Sequence, residues 1–384
     1  MSEEVDPVEA FASAAADARA GLDGAACDLC LVFASAQHLG HAKWILSAVH
    51  DALAPTHLLG CGAGGVVGAG REIEEGPGAV VWAASLPGAD VETHHLEVVQ
   101  TSEVETPDDG RELQGLSNDR LGDVLIVLAD PYTFAVELLL RRLNEERPGM
   151  PILGGLASAA AAGSASLMID GAVRDSGAVA CSISGASIVP CVSQGATPIG
   201  PEMTITAATG NVISELASKP AIERLREAIG ELDAADQAMA AEGLMLGIVI
   251  DENQPDYARG DFLVRPIVGS DPAAGSIAVG ERVRVGQTVR MQVRDGASAD
   301  EDLRDALRAQ AQALGPAGAA GALLFTCNGR GSHMFDLPDH DAGAVEDALG
   351  APAAGFFCAG EIGPVGGRNF LHGFTATIAV FAGE

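Results

Sequence analysis

The sequence predicts an α/β protein of two domains, with mixed, largely parallel sheets built from βαβ units plus hairpins. Three observations carry that expectation. Short apolar runs recur along the chain: "DLCLVFAS" (28–35), "VLIVLAD" (124–130) and "GALLFTC" (321–327). Each is followed by a helical stretch and a second apolar run: "THLLG" (56–60), "PILGG" (151–155) and "AAGFFCA" (353–359). Runs without polar alternation suit strands covered on both faces, as in parallel pairs with helical crossovers. Finally, 384 residues exceed one ordinary core, and 48% hydrophobic residues supply material for two.

The elements follow in order. Asp6 as N-cap, Pro7 at the first helical position and Glu9 at N3 open a helix that fills residues 1–24. A first domain over 25–200 then holds two strand–helix–strand units. Their helices run over about 37–53 and 133–147, the second stopped by Pro148. "AVVWAASL" (79–86) and "VETHHLEVV" (91–99) read as hairpin strands. A Gly/Pro-rich boundary, "SQGATPIGPEM" (193–203), leads into a second domain over 201–384. There "DFLVRPIV" (261–268) and "QTVRMQVRD" (287–295) read as further hairpin strands. A helix over 299–314 is set by a Ser298/Glu301 capping box, a stripe of Leu303, Ala306, Leu307 and Leu314, and a Gly315-Pro316 stop. A helix near 342–349 joins the last two apolar runs. Both halves share a plan of strand, glycine loop, helix, strand and glycine loop, as a duplicated architecture would.

Charge narrows the function. Acids number 53 against 22 bases, a formal −31, and Lys43 and Lys219 are the only lysines. Such a surface repels nucleic acid and anionic membrane, both of which need Lys and Arg against phosphate. The N-terminal "MSEEVDPVEAF" has neither a basic region nor an apolar core of a secretory signal. Residues 148–169 carry no charge, but "GGLASAAAAGSAS" is too poor in large apolar side chains for a membrane span and reads as a glycine loop followed by a strand. Seven cysteines, an odd number, suit a reducing compartment, so the expected location is cytoplasmic.

Parallel strands of one βαβ unit end at the same sheet edge, where ligands of open α/β sheets gather. The stretches "NGRGSH" after Cys327 and "GEIGPVGGRN" after Ala359 follow the two strands of one unit. They are expected to face each other and to bring Asn328, Arg330, His333, Glu361, Arg368, Asn369 and His372 around a ligand. The glycines allow close backbone approach, and arginine forks suit carboxylate or phosphate. Cys327, at the strand end beside Asn328, Arg330 and His333, is the candidate nucleophile if the protein is an enzyme.

Other motifs read as structural. The "CDLC" pair (27–30) opens an apolar strand, where side chains three apart point to opposite faces, so the thiols are expected to diverge. "GCGAGG" (60–65) follows a strand but lacks the helix of a dinucleotide site. His38/His41 and His94/His95 have no third ligand at metal spacing. No metal and no cofactor are expected. No GxSxG elbow and no P-loop lysine motif occurs.

"LLGCGAGGVVGAGREIEEGPGAVVWAASLPG", "LADPYTF", "PILGGLAS", "VSQGATPIG", "GDFLVRPIVGSDPAAGSIAVGERVRVGQTVRMQVRD", "LLFTCNGRG" and "GEIGPVGGRNFLHGFTATIAVF" together resemble the FIST family, in order from about residue 25 to the end. The resemblance implies a FIST N-terminal and a FIST C-terminal domain in a signal-transduction protein that senses small ligands, amino acids among them, with no catalytic residues to carry over. Together these readings give a sensory protein for an anionic or zwitterionic metabolite such as an amino acid, whose output passes through a signalling protein partner. The alternatives are a hydrolase-like enzyme using Cys327 and a protein-interaction scaffold.

Overall fold

A computed structural model describes residues 1–100, 110–117, 120–158 and 165–383. Residues 159–164 of the Ala/Gly/Ser stretch lie outside the described residues. The chain forms two compact units, Met1–Val192 with Arg304–Glu384, and Ser193–Leu303. The first unit is therefore discontinuous in sequence.

In the first unit α1 (Pro7–Gly21) leads to β1 (Leu29–Ser35), α2 (Ala42–Leu53) and β2 (His57–Ala63). A hairpin of β3 (Val66–Gly68) and β4 (Arg71–Ile73) follows, then β5 (Ala79–Ala84). After β6 (Asp90–Gln100) and β7 (Arg111–Gln114) the same order returns. It runs β8 (Val124–Ala129), α3 (Val136–Glu146), β9 (Ile152–Leu156), hairpin β10 (Leu167–Ile169) and β11 (Ala172–Arg174), and β12 (Ala178–Ser184). β13 (Ile188–Ser193) closes this segment. The second unit contributes β14 (Thr197–Thr209), β15 (Val212–Leu216), β16 (Lys219–Pro220), α4 (Ala221–Gly230) and α5 (Ala234–Glu242). It continues with β17 (Leu244–Val249), β18 (Phe262–Asp271), β19 (Ser276–Val279) and β20 (Thr288–Val293), and α6 (Gly296–Leu314) carries the chain back. The third copy of the plan is β21 (Ala319–Cys327), α7 (His340–Leu349), β22 (Ala353–Cys358), hairpin β23 (Gly360–Val365) and β24 (Arg368–His372), and β25 (Ala376–Ala382).

The repeated plan thus occurs three times within one unit. In every copy the first strand pairs parallel with the second and antiparallel with the last: β1 with β2 and β5, β8 with β9 and β12, β21 with β22 and β25. No hairpin joins the sheet of its own copy. β3 adds to β22, β10 to β2 and β23 to β9. The hairpins pass round a closed ring: first copy to third, second to first, third to second. Parallel pairing is confined to the three βαβ pairs among the described residues, and antiparallel ladders surround it.

Glycine makes the parallel pairs possible. Gly60, Gly154 and Gly355 stand in register opposite Val32, Val127 and Leu324. In each case a Cβ would strike the carbonyl oxygen of that neighbour, and Gly154 also has φ +145°. The three sheets share one core in which Leu29, Leu31 and Phe33 meet Ile126, Leu128, Leu323, Phe325 and Phe356. α1 and α2 cover the other face of the first sheet through Phe11, Ala14, Ile45 and Val49 against Cys30 and Val32. α3 covers the second through Leu139, Leu140 and Leu143. Strands buried on both faces explain the unbroken apolar runs.

Local signals mostly hold, with two corrections. Asp6 caps α1, accepting from the amides of Val8 (2.9 Å) and Glu9 (3.0 Å). The N-cap of α6 is Asp295, which accepts from Ser298 N at 2.6 Å, so Ser298 lies inside the first turn rather than capping it. Cys27 precedes β1, which starts at Leu29, so strand alternation does not separate it from Cys30; its thiol donates to Leu29 O at 3.5 Å. The second unit has its own core, with Ile205, Ile213, Leu225, Val289 and Met291 under α4 and α5. Among the described residues no helix is long and apolar enough to cross a membrane.

Gly355→Ala is expected to cost about 3 kcal/mol in urea unfolding, because a methyl group has no room against the Leu324 carbonyl. Gly343→Ala, in α7 with nothing within 4 Å of the new Cβ, should instead gain about 1 kcal/mol. Equal effects at the two sites would contradict this reading of the parallel pairs.

Candidate functional site

The three second strands end within hydrogen-bonding reach of one another. The Ser158 hydroxyl, just past β9, accepts from Gly64 N at 2.7 Å and donates to the carbonyl of Phe357 in β22. Phe357 N in turn donates to Gly65 O at 3.0 Å. One serine therefore ties all three copies together at the carboxyl edge of the strands. Asn328 stands beside it: a Cβ on Gly64 would lie 3.9 Å from Asn328 Oδ1 and 3.6 Å from Ser158 Oγ.

Next to this junction β21 delivers Cys327 and β23 delivers Glu361. Glu361 is fully buried, its Oε2 accepts from Thr375 N at 3.0 Å, and it shares a side-chain hydrogen bond with Cys327. Cys327 N donates to Thr375 O at 3.1 Å, closing the group. Burial, then the Glu361 charge, pushes the Cys327 thiol up to about 11. A thiol held protonated at neutral pH is a weak nucleophile, so a Cys327 hydrolase would need a base to activate it. Phe374 adjoins Thr375 with φ 60°, yet is 47% exposed. Its ring lies so close to Gly329 that a Cβ there would collide with it. A bulky residue held in the left-handed region marks stored strain, which concentrates at functional sites.

The arginines part company. Arg330 is fully buried and pairs bidentately with Asp341, Nε to Oδ2 at 2.6 Å and Nη2 to Oδ1 at 2.8 Å. Thr326 Oγ1 donates to the same carboxylate at 2.6 Å and His340 Nδ1 lies 2.9 Å from it. Phe335 stacks on His340 with ring centroids 3.4 Å apart and lies 5.1 Å beneath the guanidinium carbon. Burial alone would raise the Asp341 carboxyl, but the Arg330 charge outweighs it and holds it well below the usual carboxylate range. Arg330 thus clamps its loop onto α7, while Arg368 is exposed at the start of β24.

The remaining residues also separate. Asn369 is buried and structural: its Oδ1 accepts from Ile152 N at 2.8 Å, its Nδ2 donates to Met150 O at 2.8 Å, and Asn144 grips its backbone. His372 is buried with Nε2 3.0 Å from Gly363 O. His333 is exposed on a short 3-10 turn. The residues that the fold brings together at this edge are therefore Cys327, Asn328 and Glu361 with Ser158, Gly64, Phe374 and Thr375. Of the metal-binding residue types, no group that could hold an ion occurs among the described residues.

Glu72 of β4 completes the clamp from another copy. Its Oε1 accepts from the amides of Asp341 (2.9 Å) and Ala342 (3.0 Å), the first turn of α7, where Asp339 gives no side-chain cap. Burial, then the Asp341 charge, pushes Glu72 up to about 7 from an ordinary 4.5. The folded state therefore binds this proton more tightly than the unfolded chain, and the associated stability, full below about 4.5, is lost as pH rises through about 7. Glu72→Gln should accordingly gain on the order of 2 kcal/mol over wild type at pH 8 and nothing at pH 4.5. A constant offset across pH in thermal melts would contradict this. Arg330→Ala is expected to cost about 3–5 kcal/mol without any ligand present, since it strands a buried carboxylate; an unchanged melting temperature would show the clamp to be dispensable.

Family models match most of the chain, with a boundary near residue 220 that differs from that of the compact units. The FIST N domain matches residues 28–219 and the FIST C domain residues 221–364. An uncharacterized protein of Mycobacterium tuberculosis (strain H37Rv) is 44% identical over 385 residues, covering 99% of this chain and 98% of its own. An uncharacterized protein of Mycobacterium bovis is 44% identical over 382 residues, covering 99% and 97%. The chain belongs to the FIST family, which is associated with signal transduction and small-ligand sensing.

Proposed function

We propose that the protein senses a small zwitterionic metabolite carrying an amine, such as an amino acid, at the carboxyl edge of β21 and β22, and passes the signal to a protein partner. The observation that carries this reading is which ionisable group is left at the edge. Arg330, the base that would have favoured an anion, is buried and neutralised by Asp341, whereas the Glu361 carboxyl lies against Cys327. An ammonium group brought to this edge would favour the ionised form of Glu361 and pair with it, while a second anion there would be disfavoured. The exposed Asn328 amide supplies both a donor and an acceptor for the rest of the ligand. The strained Phe374 ring over Gly329 offers an apolar lid edge that ligand contact can relax. A cytoplasmic location agrees with seven free cysteines.

A thermal-shift panel of amino acids, their decarboxylated amines and amine-free organic acids tests the reading. An amino acid at ~100 times its Kd should add about 2.7 kcal/mol to stability, and organic acids should add nothing. Asn328→Ala should leave the ligand-free melting temperature in place and weaken binding roughly tenfold. Stabilisation by organic acids as strong as by amino acids would overturn the assignment.

A further inference from the structure

The CDLC pair takes no part in the ligand edge. β1 runs parallel to β2, whose far end meets Ser158 through Gly64, so Cys27 and Cys30 stand at the opposite, amino end. In a straight strand, residues three apart are about 10 Å from each other and face opposite ways, beyond the reach of a disulfide. The chain is not straight here. It bends at Asp28, and the Cys27 thiol folds back to donate to Leu29 O at 3.5 Å, one residue short of Cys30. Both cysteines join the cluster under α1 and α2 with Phe11, Ala14 and Val49, while Leu29 and Leu31 join the opposite one. The bend is firmly held. Thr56 N donates to Cys27 O at 2.9 Å, His57 N to Asp28 O at 3.1 Å and Asp28 N to Ala84 O at 2.9 Å. The Asp28 carboxylate accepts from Leu86 N at 2.6 Å.

The two sulfurs differ in access and in charge. Cys30 is fully buried, whereas Cys27 is 4% exposed and directly follows residues 23–26, all of them exposed. The interaction with Cys30 draws the Cys27 thiol below its ordinary value in spite of burial, and Arg19 favours its thiolate further. Burial, then Cys27, pushes the Cys30 thiol well above its own. An outer thiol that ionises more readily, beside an inner one kept protonated, is the arrangement that thiol–disulfide exchange uses.

We propose that Cys27 and Cys30 form a reversible dithiol–disulfide site that reacts with small disulfides. The Cys27 thiolate attacks one sulfur of the small disulfide, which gives a mixed disulfide and releases one thiolate. The Cys30 thiolate then attacks Cys27 Sγ, the Cys27–Cys30 bond forms and the second small thiolate leaves. The protons of the two protein thiols end on the two released thiols, and the electron pair lost by the protein reduces the small disulfide. The free thiols of the present structure are the reduced form. The bridge spans the bend at Asp28, between α1 and β1, and stands independently of any ligand at the Glu361 edge.

The probe is glutathione disulfide, added to the native protein at neutral pH. Remaining thiols are then blocked with N-ethylmaleimide and the peptides are read by mass spectrometry. Wild type should carry a Cys27–Cys30 disulfide with no stable adduct at the pair, and both halves of the probe should be released as thiols. Cys30→Ser should trap glutathione on Cys27, because the second attack is lost. Cys27→Ser should slow reaction at the pair at least about tenfold, since the remaining thiol is buried and protonated. Should either variant fold poorly, the wild-type masses decide the matter alone. A Cys27–Cys30 bond seen only after unfolding in urea, a stable glutathione adduct on Cys27 of wild type, or oxidation of other cysteines with this pair left reduced would each overturn the proposal.

Discussion

The first unit depends on three backbone contacts that only glycine permits. At Gly60, Gly154 and Gly355 the second strand of each βαβ copy passes so close to the first that a Cβ would enter a carbonyl oxygen. Equivalent glycines let all three parallel pairs adopt one geometry. Their ends then come near enough for each hairpin to leave its own copy and finish the next sheet. The exchange makes the copies mutually dependent: the first sheet lacks its β10–β11 edge without the second copy, and the third lacks its β3–β4 edge without the first. Ser158 secures the meeting point with hydrogen bonds to both other copies.

That geometry also decides where charge goes. An acidic chain of net −31 can bury an arginine only with an acid beside it, and Arg330 with Asp341 is such a pair. Thr326, His340 and Phe335 complete the shell, so the guanidinium's cost of burial is offset by near-ideal bidentate geometry. Glu72 then faces the same helix start, and burial followed by Asp341's charge pushes its carboxyl up to about 7. The clamp is thus a rigid, pH-sensitive fastening between the first and third copies. The adjoining edge, with buried Glu361 and strained Phe374, is where we propose that a ligand is recognised.

Much of the fold was legible because its signals are local. Unbroken apolar runs marked β1, β8 and β21 as doubly buried, and the Asp6-Pro7 cap marked α1 almost to the residue. The ring of exchanged hairpins was not legible. β3 and β10 are three residues each, too short to show alternation, and their partners lie in other copies. The site was legible in part. Cys327, Asn328 and Glu361 follow from strand ends alone. Arginine in a glycine loop, however, looks the same in sequence whether it holds a ligand or a buried acid, and Asp341 stands eleven residues beyond Arg330 in a helix start. Asn369 misled similarly, because a polar residue after two glycines reads as a loop residue, yet hairpin β23–β24 carries it inward to Asn144 and Ile152. Ser158, Phe374 and Thr375 carry no sequence motif; only the register of the strands brings them together.

The central claim is that the Glu361 edge recognises an amine-bearing small molecule. A crystal structure of the protein with the amino acid that stabilises it most tests this directly. The account predicts ligand density against Asn328 and Phe374, with the ammonium group turned toward the Cys327–Glu361 pair. Density in another cleft, or a ligand whose carboxylate points at Glu361, would contradict it.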